Sequence, residues 1–145
     1  VEILVALYFK ILKEGDVFLF SKASGASALY AILAEKGIIS RQKIAHYLKK
    51  YPLAGKEVPG VIWSAGSLGH GLPVAAGIAL AGKKRKVYCL VSDGELAEGT
   101  TWESALFVNH HHLNNLTVIV DRNHFQACGK TEEILKLDDS TKTHK

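Results

Sequence analysis

Apolar residues fall along this chain in two rhythms. Residues 17–20, 86–92 and 116–120 are short, nearly unbroken apolar runs bounded by turn-forming or charged residues, the pattern of strands buried on both faces. Around them, apolar positions recur at helical spacing. In residues 1–13, Val1, Leu4, Val5, Tyr8, Ile11 and Leu12 share one face, and Gly15-Asp16 ends the segment. Residues 26–36 predict a second helix stopped by Gly37, and Ser40 stands in the N-cap position of a third over 41–50. Prolines and glycines break residues 52–61 into loop. Residues 72–81 predict an almost wholly apolar helix, which must be covered on every side. Residues 95–112 supply another, with Trp102 expected in the core.

Helices alternating with short apolar strands predict an α/β domain of three layers, α/β/α, around a mostly parallel sheet. It is expected to occupy residues 1–137. Residues 138–145 form a polar tail with nothing to bury, expected to be loose.

Composition narrows the class of partner. The 145 residues amount to one domain, 48% apolar, and a chain of this size buries about two-thirds of its unfolded surface. No apolar run approaches the roughly 18 residues of a membrane span and no signal-peptide pattern opens the chain, so no membrane partner is expected. Methionine is absent even from position 1, and the natural protein is expected to extend further at its N-terminus. The net charge of +4 is scattered. Its dense cluster, Lys83-Lys84-Arg85-Lys86, lacks the interleaved aromatics of a nucleic-acid surface, so no nucleic-acid partner is expected. Cys89 in a strand and Cys128 in a loop make no disulfide framework, which fits a reducing, cytoplasmic setting. His110-His111-His112 would point about 100° apart on a helix and so cannot converge on one ion.

The candidate chemistry lies where two oxygen-bearing side chains fall. Asp93 follows the run at 86–92 and Asn123 follows the run at 116–120, with a helix between them. In an open parallel sheet the carboxyl ends of neighbouring strands converge on one crevice. One charged and one neutral oxygen donor there suit a hard divalent cation that shares its remaining positions with a phosphorylated ligand. Gly94 lets the turn approach such a ligand, and the N–H groups opening the next helix favour anionic oxygens. Gly66-Ser67-Leu68-Gly69-His70-Gly71 offers more bare backbone ahead of an apolar helix, although its glycines match neither the dinucleotide nor the phosphate-loop pattern. Glu98 and Glu103, at the front of their helix, complement its dipole in their ordinary reading.

Three segments in register carry a resemblance. Asp93-Gly-Glu-Leu-Ala-Glu-Gly99, then Trp102-Glu103, then Asp121-Arg122-Asn123 closely resemble the thiamine-diphosphate domain of transketolases. Ser64-Ala-Gly-Ser-Leu-Gly-His-Gly-Leu72 is similar to that family's Thr-Gly-Ser-Leu-Gly-Gln-Gly segment. Phe18-Leu-Phe-Ser-Lys22 with Ala28-Leu-Tyr-Ala31 is similar to its early cofactor segment. The likeness runs over residues 2–135, in the family's order.

The resemblance implies that Asp93, the Asn123 side chain and the Phe125 carbonyl hold Mg²⁺ or Ca²⁺, with two diphosphate oxygens and a water completing the octahedron. Gly94 would lie against the diphosphate of thiamine diphosphate, flanked by Ser92 and Glu95 in the same cofactor-binding turn. Gly66 and Leu68 would line the ring-binding region. Glu98 and Glu103 match acidic residues that link paired active sites near a dimer interface, and His70 joins them as a candidate catalytic residue. The implied reaction transfers a two-carbon ketol unit from a ketose or its phosphate to an aldose, the cofactor ring storing the electrons.

Departures from the family pattern bear on the sugar more than on the cofactor. Ser92 replaces a glycine but keeps the backbone donor. Ser24 stands where the family has a contacting histidine, a Gly-His-Pro segment has no counterpart in residues 50–60, and His70 replaces a glutamine. Nothing in the chain matches the family's pyrimidine-binding domain, so the resemblance implies the N-terminal subunit or a fragment of a split transketolase. Its partner would be a C-terminal subunit carrying that domain, in a homodimer or heterotetramer, and the chain alone would be catalytically silent. The alternatives are 1-deoxyxylulose-phosphate synthase, a 2-oxo-acid dehydrogenase α subunit, or a non-catalytic homologue; the first two usually lack the Glu-Leu-x-Glu-Gly and Trp-Glu arrangement.

Overall fold

The protein is described by a computed structural model covering residues 1–137, so the tail predicted at 138–145 lies outside the described residues. The first helix, α1 (Glu2–Ala6), runs on into a π-helical turn over Leu7–Ile11, in which the Leu12 N–H donates to the Leu7 carbonyl at 2.9 Å. Leu4 and Leu7 are buried, with Ile3 and Tyr8 packed at the margin, whereas Val1, Val5 and Ile11 of the predicted face are exposed. This segment is apolar almost all round, so packing rather than periodicity selected its buried side.

Strand β1 (Val17–Phe20) leads to α2 (Ala26–Glu35). That helix ends at Gly37, whose φ of 72° is a left-handed conformation that glycine adopts at little cost. The Gly37 N–H donates to Ala34 and the Ile38 N–H to Leu33, both at 2.9 Å, which satisfies carbonyls the helix would leave unpaired. A 3₁₀ turn (Arg41–Lys43) precedes α3 (Ile44–Lys50); Ser40 occupies the predicted cap position but makes no side-chain capping bond. Then come α4 (Gly71–Ala81) and β2 (Val87–Ser92). The helix predicted over 95–112 is divided into a 3₁₀ turn (Asp93–Ala97) and α5 (Gly99–His110). Strand β3 (Leu116–Asp121) is followed by elements the pattern did not predict: an antiparallel hairpin of β4 (Phe125–Gln126) and β5 (Gly129–Lys130), then α6 (Thr131–Ile134).

The main sheet has the order β1-β2-β3 with both pairs parallel. Alternate strand residues face opposite layers. Phe20, Leu90 and Ile119 join α1, α2 and residues 54–61 in one core; Leu19, Val87, Cys89 and Val91 pack with α4 in the other. The α/β/α expectation is met. Register places Ser92 opposite Asp121, so Asp93 and Arg122 leave the sheet at the same end.

Trp102 corrects one expectation. It is 56% exposed on α5, its indole N–H donating to the Leu96 carbonyl at 2.8 Å, and Leu106 is 73% exposed. The buried residues of α5 are polar, Thr101 and Ser104. Thr101 Oγ1 donates to the Glu95 carbonyl at 2.5 Å and Ser104 Oγ to the Thr100 carbonyl at 2.6 Å, so their hydroxyls are satisfied locally. Small hydroxyl side chains let α5 lie close on its neighbours, and the large apolar ones are turned outward. Among the described residues no helix is long and apolar enough to cross a membrane.

Candidate functional site

The end of β2 is a corner built around Glu95. Ser92 and Glu95 form a capping box: the Glu95 carboxylate accepts the Ser92 N–H at 2.9 Å and the Ser92 hydroxyl at 3.3 Å. Its other oxygen accepts a short hydrogen bond from Ser21 Oγ, at the end of β1. The glycine-rich stretch closes on this corner. A Cβ on Gly71 would collide with the Ser21 side chain, and one on Gly69 (φ 77°) would lie 2.7 Å from the Glu98 Cβ. The close approach of backbone, anticipated from the glycines, is thus made to other parts of the protein at residues 69 and 71.

Asp93 is 1% exposed. Its Oδ2 accepts from Arg122 Nη1 at 3.0 Å and from Thr131 Oγ1 at 2.9 Å, and Arg122 also bridges to Glu132. Its Oδ1 is buried and has no hydrogen-bond partner among the described residues. The residues on either side, Ser92 and Gly94, line a cavity of about 500 Å³. Ser24, Gly66 and Leu68 line it from one direction, and Asn123 and Phe125 from another. Asn123 Oδ1 accepts the Phe125 N–H at 2.9 Å, a local turn that fixes the amide at the strand tip.

Besides Asp93 itself, whose neighbours form the wall, four predicted residues lie outside the lining of this cavity. Glu95 is fully buried, with both oxygens bonded within the protein. His70 is exposed at the N-cap of α4. Glu98 is the N-cap residue of α5, and exposed Glu103 lines a separate hollow with Pro73, Gly77 and Phe107. Sequence reasoning had not assigned Lys22, Gln126 or Cys128, which line the cavity, nor Arg122 and Thr131, which hold Asp93. Lys22 pairs with Asp121 across the strand tips at 2.5 Å, and Gln126 Nε2 is buried without a partner among the described residues. Lys22 and Arg122 sit inside recognised motifs, which was their only signal.

Among the described residues no three His, Cys, Asp or Glu side chains cluster as a metal site. A carboxylate, an amide and a backbone carbonyl are nevertheless a suitable donor set for a hard cation. An unpartnered buried carboxylate oxygen is costly unless something positive meets it, and Asp93 Oδ1 is such an oxygen. The residues present therefore fit a divalent ion beside an anionic ligand.

Residues 42–145 match the family described as thiamine pyrophosphate enzyme, C-terminal TPP binding domain. The chain belongs to that family, as a transketolase-family TPP-binding domain. It is 43% identical over 95% of its length to an apulose-4-phosphate transketolase subunit of Actinobacillus succinogenes, covering 56% of that protein. It is 36% identical over 84% of its length to human transketolase, of which it covers 22%. In structure it resembles transketolase from Leishmania mexicana with a TM-score of 0.77, at 23% identity over 93% of this chain and 24% of that one, a likeness of fold. The TPP-binding domain thus spans little more than half of the Actinobacillus relative and about a quarter or less of the human and Leishmania transketolases.

Proposed function

We propose that this TPP-binding domain serves as part of the N-terminal subunit of a split transketolase. The assembled enzyme would transfer a two-carbon ketol unit from a ketose, or its phosphate, to an aldose acceptor, with a second chain supplying the pyrimidine-binding domain. The observation that carries the reading is the buried, unpartnered Asp93 Oδ1 between two residues that line the cavity. Similarity to a protein named as one subunit of a transketolase supports the division between two chains.

Asp93, the Asn123 amide and the Phe125 carbonyl would hold Mg²⁺ or Ca²⁺ against the diphosphate. Gly94 keeps the turn open to the ligand, and Gly66 and Leu68 offer an apolar wall to a ring. The buried amide of Gln126 offers an unused donor to an anionic oxygen. Lys22, held by Asp121, lines the cavity with an ammonium donor that an anionic ligand could share. Bound thiamine diphosphate supplies the electron sink for carbon–carbon bond cleavage and formation; the protein contributes placement and electrostatics. Glu98 and Glu103 would act at the contact with a partner chain.

The test is calorimetric titration with thiamine diphosphate in the presence and absence of Mg²⁺. Binding is expected only with the metal, and Asp93→Ala should weaken it at least about 100-fold, since removing a liganding carboxylate costs more than the 10–100-fold typical of supporting residues. Ketol transfer is expected only when a pyrimidine-binding chain is added. Metal-independent binding, or an active isolated chain, would overturn the assignment.

A further inference from the structure

The two oxygens of the buried Asp93 carboxylate are held unequally. Oδ2 accepts two hydrogen bonds, from Thr131 at 2.9 Å and Arg122 at 3.0 Å, while Oδ1 has no partner. Thr131 has no exposed surface and opens α6, and its N–H donates to the His124 carbonyl at 3.0 Å. Through that residue the β4–β5 hairpin and α6 close onto the end of β2. Glu132, the next residue of α6, takes the second nitrogen of Arg122 and steadies the guanidinium. A carboxylate pinned at one oxygen by two donors has little freedom to rotate, so the direction of its other oxygen is set.

We propose that Thr131 and Arg122 are positioning residues for Asp93: by pinning Oδ2 they aim Oδ1 at the divalent cation. This rests on the metal-dependent cofactor binding proposed above. The arrangement has a consequence for which ion is taken. Mg²⁺ demands near-ideal octahedral geometry at short distances, whereas Ca²⁺ tolerates variable distances and angles. A rigidly held carboxylate therefore favours Mg²⁺, and loosening it harms Mg²⁺ binding more. A residue needed only for folding would affect both ions alike.

The experiment titrates thiamine diphosphate into the full chain in MgCl₂ and, separately, in CaCl₂, for wild type, Thr131→Val and Arg122→Lys. Thr131→Val removes one donor without changing charge. It is expected to weaken Mg²⁺-dependent binding roughly tenfold and Ca²⁺-dependent binding by less than about threefold. Arg122→Lys keeps the charge but loses the planar fork, and should shift the ratio in the same direction. Glu132→Gln, on the partly exposed α6, provides a milder variant should either of the others melt. Equal weakening with both ions, or none with either, would overturn the positioning role while leaving metal-dependent binding intact. A wild type that binds with neither ion would overturn both.

Discussion

Glu95 and Asp93 stand two residues apart at the end of β2, both withdrawn from water, and the surrounding structure treats them in opposite ways. Glu95 is 0% exposed and both its oxygens are bonded, to Ser21 and to the Ser92 N–H and hydroxyl. Asp93 is bonded at one oxygen and bare at the other. A buried acid whose acceptors are all used is a tie between strands. One left half-used, beside a cavity, is where a ligand belongs. Burial alone does not separate structural from functional carboxylates; the count of their partners does.

That contrast can be broken in three further ways, the largest first. Glu95→Ala should destabilise the fold by about 3 kcal/mol or more, because it empties a buried position and strands the Ser21 hydroxyl and Ser92 N–H. Denaturant unfolding measures this, and a variant with wild-type stability that had lost cofactor binding would reverse the roles assigned to the pair. Gly71→Ala should cost about 1–3 kcal/mol by pushing Ser21 off Glu95. Gly77→Ala in the same helix, where an added Cβ meets nothing within 4 Å, should stabilise by about 0.5–1 kcal/mol. If both changes moved stability in the same direction, the tight contact at Ser21 would not be what constrains Gly71.

The smallest effect concerns the two free cysteines. Burial, with the nearby Glu95 charge adding to it, pushes the Cys89 thiol from 9.0 up to about 12. The folded chain therefore keeps that proton while the unfolded chain loses it, and this contribution to stability falls as pH rises from 9.0 towards about 12. Exposed Cys128, on the cavity wall, should be alkylated readily in the native protein, and Cys89 only on unfolding. Mass spectrometry after iodoacetamide checks the order. Thiamine diphosphate with Mg²⁺ should slow labelling of Cys128, and a rate indifferent to them would place the ligand elsewhere.

Much of the fold was legible because it rests on local chemistry. The apolar runs marked all three strands of the sheet, and Gly37 marked a helix end whose left-handed φ glycine favours. The residues gathered at the cavity were approached through a rule of topology: strand ends in a parallel sheet converge. The hairpin after Asn123 was missed because two-residue strands carry no readable period. Trp102 was misread because size and hydrophobicity suggested burial, while the hydroxyls of Thr101 and Ser104 found backbone partners and took the inner face.

By itself the sequence determined the order of the three sheet strands and of the helices between them, the segments that stay apolar, and the motif that marks a TPP-binding domain. Each of those depends on residues near one another in the chain. Only the tertiary structure decided that Glu95 would be tied to Ser21, 74 positions away, and that Asp93 would be held by Thr131, 38 positions away. A hydrogen bond between distant residues leaves no periodicity to read, because its donor and acceptor meet only after the sheet has formed and the hairpin has closed over it.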